Sequence, residues 1–145
     1  MKKYILSLCV SLFGFAVPAM ASDFPADPQG VKVLDRNYYS SDSIGSGIYV
    51  LLYDKGNDRI LEIFKASQQP DGSSSWKSAY THLYRKAMEQ DFLTNYPFEL
   101  LFIGEGEGKS VSIAVVGMLE TEPGLTLNYN PKTGAVKEEL EEEGD

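Results

Sequence analysis

The sequence predicts an α+β fold, in which an antiparallel sheet of about five to seven strands packs on one main amphipathic helix. Three observations lead to this prediction. Apolar and polar residues alternate in several short runs, as in strands with one buried face. Turn-forming residues separate those runs. One longer stretch, residues 76–92, instead spaces its apolar residues three and four positions apart, which is typical of a helix.

The N-terminus is typical of a secretory signal peptide. Lys2 and Lys3 precede the apolar run "YILSLCVSLFGFAV", and "AMA" at positions 19–21 supplies the small residues of a cleavage site. We expect cleavage after Ala21, no membrane anchor in the mature chain, and a location in the periplasm or outside the cell. The single cysteine, Cys9, would leave with this segment, so the mature chain would have no thiol for disulfide, zinc or nucleophilic chemistry.

The remaining chain is predicted to form a single globular α+β domain over residues 22–140, followed by an acidic disordered tail at 141–145. Removal of Lys2 and Lys3 with the leader changes the formal net charge from −8 to −10. This excess of acidic residues opposes binding to nucleic acid or to anionic membranes, and it favours basic partners through long-range attraction. Plain solubility is the alternative explanation for the same charge.

The first half of the domain predicts a hairpin. After the irregular segment "SDFPADPQG" and a short strand at 31–34, residues 48–53 are apolar on both faces, as in an inner strand. The turn residues at 55–58 then lead into a second strand at 59–65.

The predicted helix follows the polar loop "SQQPDGSSS", whose last serines offer an N-cap. Its expected buried face consists of Trp76, Ala79, Tyr80, Leu83, Tyr84, Ala87 and Met88.

The second half of the domain predicts further strands. "FELLFI" begins a second hairpin, and in "SVSIAVVGML" Val111, Ile113, Val115 and Leu119 form the inward face. "TEPG" then turns into the strand "LTLNY", and "NPKTG" turns into "AVKEEL".

The segment "GEGEGKS" contains the Gly-Lys-Ser ending of a phosphate-binding loop, but its spacing is wrong. Such a loop needs four residues before the Gly-Lys pair, whereas Gly104 and Gly108 enclose three. A strand pattern follows where a helix N-terminus would be required, and Glu105 and Glu107 would repel a phosphate. We interpret the segment as a glycine-rich hairpin loop.

Catalytic and metal-binding patterns are weak. On the predicted helix, His82 lies off the apolar face near Arg85 and Lys86, and no carboxylate stands one turn away to orient its ring. We interpret it as an exposed histidine. "DKGND" and "GEGEG" both miss the calcium-loop pattern. A carboxylate pair for glycoside hydrolysis remains open, with candidates at the predicted strand ends: Asp54, Asp58, Glu99 and Glu120.

Residues 46–49, Ser-Gly-Ile-Tyr, match a Ser-Gly-x-Tyr motif, and over these four residues the chain resembles the bacterial periplasmic lysozyme inhibitors. In that family a loop with this motif plugs the lysozyme cleft, so the resemblance implies that Ser46 and Tyr49 contact a partner. The chain departs from the better-known members because it lacks mature cysteines and has the predicted long helix. A Ser-Gly-rich loop that enters a strand is the alternative interpretation.

The sequence therefore predicts a non-enzymatic periplasmic binding protein, an inhibitor or immunity protein that blocks a basic cell-wall hydrolase or a delivered toxin. The expected partner-binding residues are Ser46, Gly47, Tyr49, Glu105 and Glu107, with no catalytic residues, cofactor or metal. The alternative is an envelope accessory protein that binds a small ligand in an aromatic-lined pocket. A glycoside hydrolase that uses a carboxylate pair is the third possibility.

Overall fold

The computed structural model describes residues 24–85, 98–117 and 124–139, and this part of the chain is almost entirely β-structure. Its eight strands form two antiparallel sheets of four, in the orders β1-β2-β3-β4 and β5-β6-β7-β8. The strands are β1 (Lys32–Ser40), β2 (Gly47–Lys55), β3 (Asp58–Gln68), β4 (Ser74–Arg85), β5 (Glu99–Glu105), β6 (Val111–Gly117), β7 (Leu125–Tyr129) and β8 (Val136–Glu139).

The β2–β3 hairpin forms as its sequence predicts. Lys55 lies opposite Asp58 in the register, so Gly56 and Asn57 form a two-residue turn. Gly56 has a φ of 61°, and a left-handed glycine at the first turn position is what a type II′ turn requires. This turn fixes which face of each strand points inward.

Strand β2 is buried on both faces. Its inward residues Ile48, Val50 and Leu52 belong to a core that both sheets share. Its outward residues Tyr49, Leu51 and Tyr53 lie in a second, smaller cluster on the other face of the first sheet. The shared core also contains Ile44, Leu61 and Ile63 from the first half of the chain and Leu101, Val111, Ile113, Val115, Leu125, Leu127 and Tyr129 from the second.

Side chains of β1 connect the two sheets at the free edge of β5. Asp35 accepts a hydrogen bond from the backbone nitrogen of Leu101 at 2.7 Å, and the Asn37 amide donates to the Leu101 carbonyl at 3.1 Å. Both backbone groups of this edge residue are therefore satisfied by side chains. Unpaired strand edges otherwise attract other chains, so these two bonds also protect β5 from unwanted pairing.

The predicted α+β fold with a helix at 76–92 is wrong. Residues 74–85 form β4, the edge strand of the first sheet, and residues 86–92 lie outside the described part of the chain. Within the described residues, the only helical turn is a short 3₁₀ turn at Glu107–Lys109. No helix in that part is long and apolar enough to cross a membrane.

Two register shifts, and a spacing that strands and helices share, explain why the sequence of β4 imitates a helix. Ile63 pairs with Tyr80 but Phe64 pairs with Ser78, and a second register shift occurs near Tyr84. The shift between Ser78 and Tyr80 reverses the inward and outward alternation, so Trp76 and Tyr80 lie on opposite faces although they are four residues apart. Tyr80 and Tyr84 both pack on the shared core, because residues four apart share a face in a strand as they do in a helix. The aromatic and hydroxyl side chains of the segment favour a strand more than a helix.

The burial of individual residues therefore differs from that predicted for a helix. Leu83, predicted to be buried, is exposed, as is Ala79, and Trp76 packs on the outer cluster instead of the shared core. Further along the chain, Val111, Ile113 and Val115 are buried as the alternation in "SVSIAVV" predicts. Predictions for the leader at 1–21, for Ala87, Met88 and Leu119, and for the tail at 141–145 lie outside the described residues.

Candidate functional site

Four connecting loops lie at one end of the shared core, which we call the open end: residues 41–46, 69–73, 106–110 and 130–135. Lys65, near the end of β3, donates a hydrogen bond to the Pro131 carbonyl just after β7, at 2.5 Å. The register places Ile48 beside Lys65 and Val111 beside Tyr129, so the loops that precede β2 and β6 reach this same end. The structure therefore brings the loops of Ser46 and of Glu107 to one end of the fold.

Gly47 and Tyr49 are not presented to solvent. Tyr49 is only 3% exposed, and Gly47 is the buried first residue of β2. A Cβ atom on Gly47 would lie 3.0 Å from the Tyr38 ring and 3.2 Å from the Trp76 ring, so a larger residue would press against both rings. A loop that presents the Ser-Gly-x-Tyr motif to a partner does not exist in this structure.

Tyr49 instead lies within an aromatic cluster on the outer face of the first sheet. The Phe24 ring stacks on Tyr49 at 5.1 Å between centroids and contacts the rings of Tyr38 at 5.3 Å and Trp76 at 5.6 Å. Phe64 completes the cluster on the other side of Tyr49. The segment that follows Phe24 borders a cavity of about 490 Å³ that Tyr38 and Tyr49 also line.

One exposed ion pair connects the segment after Phe24 to strand β1. Arg36 forms two hydrogen bonds with the Asp27 carboxylate, at 2.9 and 3.0 Å, and contacts the Tyr49 hydroxyl at 3.4 Å. The hydrogen bond with Asp27 raises the pKa of Arg36, and burial raises the pKa of Tyr49 although Arg36 opposes that shift. Both partners of the ion pair are about half exposed, so its contribution to stability is small.

The end of β5 presents Glu105 to solvent, and the loop that follows presents Glu107 and Lys109, as the sequence suggests for the two glutamates. Gly106 donates to the Ser110 carbonyl at 2.8 Å, which closes the loop. A Cβ atom on Gly106 would lie 2.6 Å from the Ser110 hydroxyl oxygen and 2.9 Å from the Asn128 side-chain oxygen, so a larger residue would displace these side chains. The loop joins two strands and not a strand and a helix, which agrees with our rejection of a phosphate-binding loop.

A stripe of large apolar side chains leads along β5 toward this loop. Phe98, Leu100 and Phe102 occupy alternate positions and are 61%, 44% and 55% exposed. In the register, Leu100 lies opposite Val116 and Phe102 opposite Ala114, so half-buried apolar residues of β6 widen the stripe. We call these five residues the apolar stripe. The sequence does not reveal this stripe, because residues 100–103 are apolar at both inward and outward positions.

The other end of the shared core, which we call the ion-pair end, holds a buried charged group. Arg59 is fully buried and forms hydrogen bonds with Asp54 at 2.7 and 3.1 Å and with Glu99 at 2.6 Å. Arg85 donates to the same Glu99 oxygen at 2.9 Å and to the Tyr84 hydroxyl at 2.9 Å. Burial opposes the charge on Arg59, but the hydrogen bonds with Asp54 and Glu99 raise its pKa above the ordinary value.

This arrangement bears on the candidate carboxylate pair. Asp54 and Glu99 do come together, but Arg59 lies between them and binds both. A general acid must carry a proton and a nucleophile must reach a substrate, and carboxylates held by a guanidinium favour neither role. Asp58 lies in the β2–β3 turn region, and Glu120 lies outside the described residues.

His82 is half-buried on β4 and not on a helix. Its Nδ1 lies 3.4 Å from the Tyr80 hydroxyl, and its ring stacks against the Tyr80 ring. Within residues 24–85, 98–117 and 124–139, no group of three histidine, cysteine or carboxylate side chains could hold a metal ion.

Three lysines that sequence analysis did not single out also lie at the open end. Lys65, Lys77 and Lys132 line one cavity together with Ser46. They are far apart in the chain, so no local pattern could have identified them.

Comparisons with known proteins identify no relative. No protein-family model matches the chain, and neither the curated proteins nor the solved structures contain a match.

Proposed function

We propose that this chain is an exported, non-enzymatic binding protein that blocks a basic protein partner, such as a cell-wall hydrolase or a delivered toxin. The observation that carries the proposal is the apolar stripe on β5. Support for export comes from the leader-like N-terminus, and support for a basic partner comes from the acidic composition.

The apolar stripe is the kind of surface that protein partners cover. Large apolar side chains normally point into a core, yet Phe98, Leu100 and Phe102 are all about half exposed or more in one row. Contiguous exposed apolar patches on small proteins commonly mark interaction sites. Aromatic residues at the centre of an interface also carry much of its binding energy.

The charges beside the stripe suit a partner with a basic rim. Glu105 and Glu107 lie where β5 ends, and the closed loop that carries them is held by Gly106 and Ser110. Lys109 offsets part of this charge, but the mature chain as a whole is strongly acidic. Acidic groups at the rim would accelerate association with a basic partner, while the apolar stripe would slow its dissociation. Tyr49 takes no part in this surface.

The test is inhibition and binding of a basic lysozyme by the purified mature protein. Phe102→Ser should weaken binding by about 2 kcal/mol, or roughly 30-fold in Kd, mainly through faster dissociation. Combined Glu105→Lys and Glu107→Lys substitutions should instead slow association and reduce its dependence on salt. Thr81→Ala, an exposed residue of β4 on the other sheet, serves as the control and should bind like the wild type.

Equal dissociation rates for Phe102→Ser and the wild type would remove the apolar stripe from the interface. Failure of the mature protein to bind or inhibit both a basic lysozyme and the basic hydrolases of its own envelope would contradict the proposed function.

A further inference from the structure

The open end contains a cavity of about 480 Å³ whose charge is opposite to that of the protein as a whole. Its lining includes Lys65 from β3, Lys77 from β4 and Lys132 from the loop after β7. Among the described residues, none that lines this cavity is acidic, although the chain has 21 acidic residues against 13 basic ones. Three positive charges therefore meet at one site in an acidic protein.

The arrangement of these lysines is unfavourable in the absence of an anion. Lys65 and Lys77 are directly opposite each other in the β3–β4 register. Like charges in that position destabilise a sheet. None of the ion pairs found among the described residues involves either lysine or Lys132. An anion in the cavity would remove this repulsion.

Hydrogen bonds hold the side chain of Lys65 and the backbone of Lys132 in place. Lys65 is held by its hydrogen bond to the Pro131 carbonyl at 2.5 Å. Lys132 follows directly, in a turn in which the Asn130 side-chain oxygen accepts hydrogen bonds from the backbone nitrogens of Lys132 at 2.9 Å and Thr133 at 3.2 Å. The cavity is therefore preformed, because one loop is tied both to the opposite sheet and to itself.

A hydroxyl group in the cavity wall lacks a partner. Ser46 lines the cavity, and its Oγ is enclosed with no hydrogen-bond partner in the described part of the chain. An enclosed polar group without a partner destabilises the folded state. An oxygen-rich anion would accept a hydrogen bond from this hydroxyl and satisfy it.

We infer that the open-end cavity binds a phosphoryl group of a small soluble molecule, through Lys65, Lys77, Lys132 and Ser46. Phosphate fits better than a carboxylate because separate lysines act as point charges, whereas planar carboxylates are matched best by arginine. Three ammonium groups can balance the two or more negative charges of a phosphate or diphosphate. The site shares no residue with the apolar stripe, so either one can fail without the other.

The test is calorimetric titration of the mature protein with inorganic pyrophosphate at pH 7 and low ionic strength. We expect saturable 1:1 binding, because the net negative charge of the protein opposes nonspecific binding of an anion elsewhere on its surface. Lys77→Gln should weaken it about tenfold or more, because a charge-assisted contact is lost. Lys132→Gln provides a second variant in a loop, and Ser46→Ala should also weaken binding. Lys137→Gln on β8 is the control and should bind like the wild type.

The inference would be overturned if millimolar pyrophosphate did not bind to the wild type. It would also be overturned if Lys77→Gln and Lys132→Gln bound pyrophosphate as tightly as the wild type does. Binding only to vesicles of an anionic phospholipid would contradict a small soluble ligand.

Discussion

The two ends of the shared core differ in how their charges are balanced. At the ion-pair end, two carboxylates and two guanidinium groups form three ion pairs and are largely buried. At the open end, three lysines line one cavity, and no acidic side chain of the described residues lines it with them. The ion-pair end is neutral as a group, whereas the charged residues that line the cavity at the open end are all positive.

This difference indicates different roles for the two ends. A buried charge is tolerated only when it is paired and hydrogen-bonded, so the ion-pair end must be complete for the protein to fold. Unpaired like charges raise the free energy of the folded state and contribute nothing to folding. We therefore interpret the ion-pair end as a structural element and the open end as a binding region.

The largest loss of stability is expected for a substitution at Arg59. Arg59→Ala removes the guanidinium that binds the buried Asp54 carboxylate, and it leaves Glu99 with only its hydrogen bond from Arg85. The free energy of unfolding should therefore fall by about 3–5 kcal/mol. Urea denaturation measures this change. Arg36→Ala is the matched control. Arg36 also forms two hydrogen bonds with a carboxylate, that of Asp27, but this ion pair is exposed and should contribute less than about 1 kcal/mol to stability. Similar losses for the two variants would contradict a structural role for the ion-pair end.

A second effect concerns pH and Tyr53, which precedes Asp54 on β2. Burial, together with a hydrogen bond to Glu62 at 3.0 Å, raises the pKa of Tyr53 to about 12. The folded protein therefore favours the neutral phenol. The stability that this provides is fully present below the unfolded pKa of about 10 and is lost as the pH rises from about 10 to about 12.

Tyr53→Phe isolates that contribution, because all other titrating groups are common to both proteins. Denaturant unfolding between pH 8 and pH 12 should show the wild type losing stability relative to the variant above about pH 10. Parallel curves over this range would show that the Tyr53 hydroxyl does not titrate differently in the folded state.

Local sequence chemistry predicts the local elements of this fold. The β2–β3 hairpin, the glycine-rich loop before β6 and the turn between β7 and β8 all form where Gly, Asn, Asp and Pro residues indicate them. The helix prediction failed because Tyr80 and Tyr84 share one face at a spacing that also fits a helix, and because two irregularities in β4 interrupt the alternation that would have indicated a strand. A pairing register depends on the neighbouring strand, which a single segment does not reveal.

The candidate sites were less predictable for the same reason. The exposure of Glu105 and Glu107 follows from a polar glycine-rich loop, and it was predicted. The burial of Tyr49 depends on Phe24, which lies far away in the sequence and packs on it from the N-terminal segment. Lysines from three different elements meet at the open end only after both sheets have formed.

The most direct test of the comparison is the stability of Lys77→Gln without any added anion. Urea denaturation at low ionic strength should show this variant to be more stable than the wild type, by about 0.2–1 kcal/mol, because the repulsion with Lys65 is removed. Added sodium chloride should reduce the gain, since exposed charges are screened. Lys137→Gln should show no comparable gain. A loss of more than about 1 kcal/mol in Lys77→Gln would mean that this lysine stabilises the fold, and it would contradict the distinction between the two ends.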